Sequence, residues 1–318
     1  MTVLCLVERD GAGAADVSLR ALTFARSLAE SGAGGAAAVV FGPGAPAELS
    51  AYGVADAYAV EADGYAPQAW GRALAGLAAE LSATAVVAAG TDRGSEVLAH
   101  LAAITGLPMA ANCASAALTA PGTFQLVRHR WAGSLLEDSV LDASPALLTV
   151  AVDAVAAVPA SAPAETTVHA YQPALDEADL RVSATESAER SAGVSLATAR
   201  VVVGGGRGVG GPDGFAPIEE LAGLLGAAVG VSRVVTSEGW RPHKQQVGQT
   251  GTRISPELYL ACGISGAIQH MAGCMSAKHI VAVNTDPDAP IISRADYAVI
   301  GDLNEVIPAL ITAIRARS

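Results

Sequence analysis

Several stretches in the last third of the chain combine residue types that could hold a ligand. The run Val203-Gly-Gly-Gly-Arg-Gly-Val-Gly-Gly211 places Gly206, Gly208 and Gly211 at the spacing G-x-G-x-x-G, with Arg207 inside it. Such glycines permit a tight turn and close backbone approach to a phosphate. The acidic residue that a plain nicotinamide dinucleotide site carries after its second strand is replaced here by Ser232-Arg233. A guanidinium at that position suits a phosphate or an electron-rich ring, and the plain alternative is a surface arginine. The loop Gln246-Val-Gly-Gln-Thr-Gly251 adds two glycines and the uncharged hydrogen-bonding groups of Gln249 and Thr250, or it is an ordinary turn. In Cys262-Gly-Ile-Ser-Gly-Ala-Ile-Gln-His270 an apolar run breaks at glycine, and the pattern predicts a helix beginning near Ser265. Its free N–H groups would suit a phosphate, with Gln269 and His270 about one turn further on; the alternative is a plain Ser265 cap and a core histidine. Asn284 and Asp302 follow two further apolar runs.

These residues share one feature. Apart from the Gln246–Gly251 loop, each lies at the carboxyl end of a predicted strand, and that edge of a parallel sheet is where such folds bind ligands. The elements that must position them form a βα series: strands at Arg200–Val203, Ala228–Val231, Leu258–Cys262, His279–Asn284 and Tyr297–Ile300, helices at Phe215–Leu225 and Asn304–Arg315, and a loop region from Thr236 to Ser255.

The first part of the chain repeats the alternation. Val3–Val7, Ala36–Phe41, Ala57–Val60 and Ala85–Ala89 read as buried strands, and Asp16–Glu30, Pro67–Leu81 and Gly94–Ile104 as helices. From Met109 to Val152 the helical period is lost, and Phe124–Arg130, Ser134–Val140 and Ala146–Ala151 read as strands extending the first sheet. A chain of 318 residues exceeds a single ordinary domain. The polar stretch Ser183–Ser195 marks the connection, giving domains 1–190 and 191–318, with a hinge expected near residue 190. The fold class is α/β, two domains, each a mainly parallel sheet flanked by helices.

Composition removes other classes. Net charge is −12 with no Lys/Arg cluster, which argues against nucleic acid as a partner. Lysine occurs only at Lys244 and Lys278, neither in a phosphate loop, so a Walker-type NTPase is excluded. Cys5, Cys113, Cys262 and Cys274 form no C-x-x-C pair and read as buried thiols, and no metal site is expected. No apolar stretch reaches a membrane span's length of about 20 residues, and the start of the chain lacks a signal-peptide layout, so no membrane insertion and a cytoplasmic location are expected.

In this order, GGGRG, the Ser232-Arg233 pair, VGQTG, PELYLACGISGAIQH, AVN, DPDAPI and ADYAVIGDL resemble the electron transfer flavoprotein alpha subunit, the family that includes FixB. The resemblance is dense over about residues 200 to 318. It implies a Rossmann-like FAD-binding domain, with binding roles for Arg207, Ser232, Arg233, Val247, Gly248, Gln249, Thr250, Ser265, Gly266, Ala267, Ile268, Gln269, His270, Asn284 and Asp302. Arg233, Thr250 and His270 would surround the isoalloxazine, with Thr250 donating to or accepting from its N5. Ser265 to Gln269 would follow the ribityl-pyrophosphate, and Asn284 and Asp302 the adenosine. It further implies a heterodimer with a beta subunit, contacted by the first domain and holding AMP or a second FAD.

The implied function is electron shuttling from flavin dehydrogenases to a quinone-linked or other redox acceptor, through a stabilised flavin semiquinone. No catalytic residue is implied. Arg233 and, to a smaller extent, His270 are expected to raise the flavin potential as positive groups. An NADH-oxidising, electron-bifurcating complex is the alternative within the family; an NAD(P)-binding enzyme and a cofactor-free assembly subunit are alternatives outside it. The sequence departs from common members in the basic loop Trp240–Gln246 and in Thr285, where many relatives carry lysine.

Overall fold

In the computed structural model, residues 2–62, 64–133, 135–184, 195–197 and 199–317 are described. The chain divides into two compact units, Met1–Glu189 and Arg190–Ser318. The boundary and hinge expected near residue 190 fall within 185–194, outside the described residues.

The first unit opens with β1 (Thr2–Val7), the two-residue strands β2 (Arg9–Asp10) and β3 (Gly13–Ala14), α1 (Asp16–Leu28) and β4 (Gly35–Phe41). It continues through β5 (Asp56–Val60), α2 (Pro67–Glu80), β6 (Ala85–Ala89) and α3 (Asp92–Thr105). Four strands follow without a helix: β7 (Met109–Ala120), β8 (Thr123–Arg130), β9 (Leu135–Asp142) and β10 (Ala146–Val150), and then β11 (Thr167–Tyr171). Their sheet has the order β11-β5-β4-β1-β6-β10-β7-β8-β9. Among the described residues of this sheet only the β7–β8 and β8–β9 pairings are antiparallel, and β2 and β3 pair antiparallel apart from it. Strands such as Ala85–Ala89 are buried throughout because separate hydrophobic clusters pack on the two faces of the sheet.

Besides the two-residue β2 and β3, the strands β7 and β11 had no counterpart in the sequence reading. β7 is rich in alanine with serine and asparagine, weak strand formers, and is held by pairing with β8 and β10. β11 follows the Ala/Pro-rich segment 154–164, which is pinned down: the Ala160 and Ala164 amides donate to the Ala51 and Ser50 carbonyls. Pinning delivers β11 to the sheet edge beside β5.

The second unit comprises β12 (Val201–Gly205), α4 (Ala216–Leu225), β13 (Ala228–Val231), α5 (Arg233–Ser237), β14 (Leu258–Cys262), α6 (Ile268–Cys274), β15 (His279–Asn284), β16 (Tyr297–Ile300) and α7 (Leu303–Arg315). All pairs are parallel in the order β13-β12-β14-β15-β16. This doubly wound order reverses direction between β12 and β14, so the ligand crevice belongs at their carboxyl ends. Phe215, Ile218, Leu221, Ile307 and Ile311 from α4, α7 and the adjoining turn cover one face of the sheet. Ile254, Met271 and Cys274 join Val202, Tyr259 and Ala282 in the cluster on the other.

Candidate functional site

Glycine makes the switch point. The Gly206 amide donates to the Cys262 carbonyl (2.9 Å) and the Gly208 amide to the Gly263 carbonyl (3.0 Å), tying the turn after β12 to the turn after β14. A Cβ on Gly206 would strike the Gly263 carbonyl, and one on Gly208 would lie 2.7 Å from the Gly263 Cα. Gly206 and Gly208 of the G-x-G-x-x-G run thus serve turn-to-turn packing, whereas a Cβ on Gly211 would meet nothing within 4 Å. The next α-helix begins only at Ala216, which departs from a dinucleotide fingerprint, where the helix opens directly on the glycines.

The other loops close around this point. The Ser232 amide donates to the Gly205 carbonyl (3.1 Å) and the Val247 amide to the Val231 carbonyl (2.9 Å). The Gln249 amide donates to the Gln269 carbonyl at 2.7 Å. Gly248 and Gly273 let the loop approach α6, since a Cβ on Gly273 would collide with the Gly248 backbone and one on Gly248 would lie 2.9 Å from the Gln269 carbonyl.

A cleft of about 810 Å³ results, within the size range of cofactor sites. Arg207, Ser232, Arg233, Val247, Gly248, Gln249, Thr250, Ser265, Ala267, Gln269, His270 and Asn284 line it. Gly266, Ile268 and Asp302 do not. Gly266 is buried, and its positive φ of 79° fits the turn against Ile291. Ile268 points to solvent, 83% exposed. Asp302 caps α7, its carboxylate accepting from the Asn304 amide at 2.8 Å.

Three details differ from the sequence reading. The helix expected from Ser265 starts at Ile268 with Ala267 as its cap, because Gly266 takes the left-handed conformation and breaks the approach. Ser265 is therefore a loop residue, and the helix is only 7 residues long. The region read as loop after Thr236 instead begins inside α5, is stitched to β13 by the bridge Val231↔Gln246 and is closed on itself by the bridge Val247↔Thr252. His270 is not a cation: it is buried, and loss of hydration pushes its imidazole down to about 4, more than the Val247 carbonyl offsets.

The polar groups left over show what the cleft can bind. The amides of Ser265, Gly266, Ala267, Ile268 and Gln269 have no hydrogen-bond partner among the described residues. The Arg207 and Arg233 guanidiniums are exposed at the cleft and likewise have no partner among the described residues. Consecutive free amides with two cations favour an anionic ligand. Asn284 ties the floor together, its Nδ2 donating to the Ile264 carbonyl (2.9 Å) and its Oδ1 accepting from the Asp286 amide (3.1 Å).

Sequence reasoning missed Gln246 and Tyr259. Gln246 is buried and hydrogen-bonded to Thr236 and Thr250, and Tyr259 is fully buried with its hydroxyl on His270. A tyrosine within a buried strand was the available signal, since its hydroxyl must find a partner.

Residues 3–176 match the electron transfer flavoprotein domain, and residues 195–275 the electron transfer flavoprotein FAD-binding domain. The electron transfer flavoprotein subunit alpha of Mycobacterium leprae is 39% identical over 99% of this chain and 98% of its own length. Its namesake in Mycobacterium tuberculosis strain H37Rv is 40% identical over 99% and 98%. That of Syntrophomonas wolfei is 38% identical over 99% of both chains. The chain belongs to the electron transfer flavoprotein alpha subunit family. Membership makes it an electron-transport flavoprotein rather than a classical enzyme, and its FAD-binding match spans the cleft residues from Arg207 to His270. Among the described residues no helix is long and apolar enough to cross a membrane.

Proposed function

We propose that this chain is the FAD-carrying alpha subunit of a heterodimeric electron carrier, with FAD held in the cleft at the β12/β14 switch point. The observation that carries the proposal is the run of five amides, Ser265 to Gln269, that have no partner among the described residues, beside the guanidiniums of Arg207 and Arg233, which likewise have none there. These groups fit the pyrophosphate of a flavin dinucleotide and the negative charge its ring gains on reduction. Because α6 is so short, the amides themselves rather than a long helix dipole do the binding.

In this reading Arg207 and the amides hold the pyrophosphate, Ser232 and the 247–250 loop hold the ring, and Asn284 fixes the floor toward the adenosine, with Asp302 beyond the cleft at that end. Bound FAD supplies one-electron chemistry, and the protein supplies binding and electrostatics. Arg233 sits where a positive charge favours added negative charge on the ring. His270, being neutral, offers a hydrogen bond instead. No side chain is required as acid, base or nucleophile.

The partner in this proposal is a beta subunit carrying AMP or a second FAD, with a flavin dehydrogenase as donor and a quinone-linked or other redox protein as acceptor. The four buried free cysteines suit a reducing compartment, in keeping with a cytoplasmic location. The test is the flavin content and visible spectrum of the chain purified with its beta partner. One FAD per heterodimer supports the simple carrier, and two with NADH oxidation point to bifurcation. No FAD after reconstitution overturns the assignment.

A further inference from the structure

Gln246 is buried at 2% exposure, and its amide bridges two hydroxyls. Its Oε1 lies 2.7 Å from Thr236 Oγ1 and its Nε2 lies 3.0 Å from Thr250 Oγ1. Thr236 Oγ1 also lies 2.9 Å from the Arg233 carbonyl. A hydroxyl has one proton, yet in this arrangement Thr236 faces two groups that only accept.

Turning the amide by 180° removes the conflict. Nε2 then donates to Thr236 Oγ1, Thr236 donates to the Arg233 carbonyl, and Thr250 donates to Gln246 Oε1. The two orientations differ by one strained share of a proton at Thr236, and they have opposite consequences at Thr250, which lines the cleft. In the first, Thr250 accepts from Gln246 and its own proton is free to donate into the cleft. In the second, that proton is used by Gln246, and a lone pair of Thr250 faces the cleft as an acceptor.

We propose that Gln246 is a positioning residue whose amide turns to set Thr250 as a donor or an acceptor toward the ligand, matching whichever hydrogen-bonding form the ligand presents. This rests on the reading of the cleft as a flavin site, where the ring nitrogen N5 accepts when unprotonated and donates once protonated. A fixed partner for Thr250 would suit only one of these forms.

The experiment uses the FAD-loaded chain with its beta partner. Gln246→Glu supplies an acceptor-only carboxylate and fixes Thr250 as an acceptor toward the cleft. Thr250→Val removes the hydroxyl, and spectroelectrochemical titrations are compared in a double-mutant cycle. The shift that Gln246→Glu causes in the Thr250→Val background measures its added charge alone. The expected result is a further shift of about tenfold, seen only with Thr250 present, toward flavin forms with a hydrogen on N5. At one electron this is about 59 mV. Equal shifts in both backgrounds overturn the proposal. Should the glutamate variant fail to fold, Gln246→Met serves in the same cycle: its effect must vanish with Thr250→Val, and an effect that persists overturns the proposal. Wild-type protein that takes up no FAD would instead sink the flavin reading itself, a separate result.

Discussion

The Tyr259 hydroxyl lies 2.8 Å from His270 Nε2, with both side chains inside the second unit. The other ring nitrogen, Nδ1, is buried without a hydrogen-bond partner of good geometry. Burial strips the water that a protonated imidazole would need, by more than the Val247 carbonyl offsets, so the ring is held neutral, with a value pushed down to about 4.

That depression predicts a pH dependence of stability. The unfolded histidine takes up a proton at about 6.5, which the folded one refuses until about 4. Its stabilising contribution is complete above about 6.5 and is lost as pH falls toward 4, by up to about 3 kcal/mol. Urea melts at pH 7 and pH 5 should show a larger acid loss for the wild type than for His270→Asn. An NMR midpoint for the His270 ring near 6.5 would contradict the account.

Arg233→Ala is expected to lower the potential of bound FAD. One charge about 4 Å away contributes at most about 4 kcal/mol at an effective dielectric near 20, or about 170 mV for one electron. Exposure of Arg233 brings the effect well below that bound. Arg233→Lys should keep most of the potential, whereas His270→Ala should cause no loss of the kind a removed cation gives. Spectroelectrochemical titration separates these outcomes.

Much of this architecture was legible because parallel strands buried on both faces leave unbroken apolar runs; Leu258–Cys262 and Ala228–Val231 coincide with their observed bounds. β11 escaped because a partner distant in sequence holds it, and β7 because its alanine-rich run is a strand only through pairing with β8 and β10, not through local propensity. Site residues were visible where they follow strands, as Ser232 and Asn284 do. Gln246 and Tyr259 were not, since their roles come from contacts that tertiary structure alone creates.

Glycines at the switch point should tolerate no side chain. Gly208→Ala sets a methyl 2.7 Å from the Gly263 Cα, backbone that cannot step aside, so a loss of about 1–3 kcal/mol and weaker FAD retention are expected. Gly223→Ala is the contrasting case. It lies exposed in α4, and its Cβ would meet nothing within 4 Å, so helix propensity should raise stability by about 0.5–1 kcal/mol. Denaturant melts that destabilise both equally would defeat the packing argument.

Asn284 and Asp302 provide the last separation, because one braces the cleft and the other caps a helix. Asn284→Ala strands the buried Ile264 carbonyl and releases the loop carrying Ser265, so both stability, by about 1–3 kcal/mol, and FAD affinity should fall. Asp302→Ala removes the α7 cap, at about 1 kcal/mol. Asp302→Asn should leave both quantities unchanged, since asparagine caps as well as aspartate. The measurement is thermal melting alongside flavin fluorescence titration. Lost affinity with an intact melt in Asp302→Asn would put the carboxylate itself against the adenosine, extending the binding surface beyond the cleft wall at Asn284.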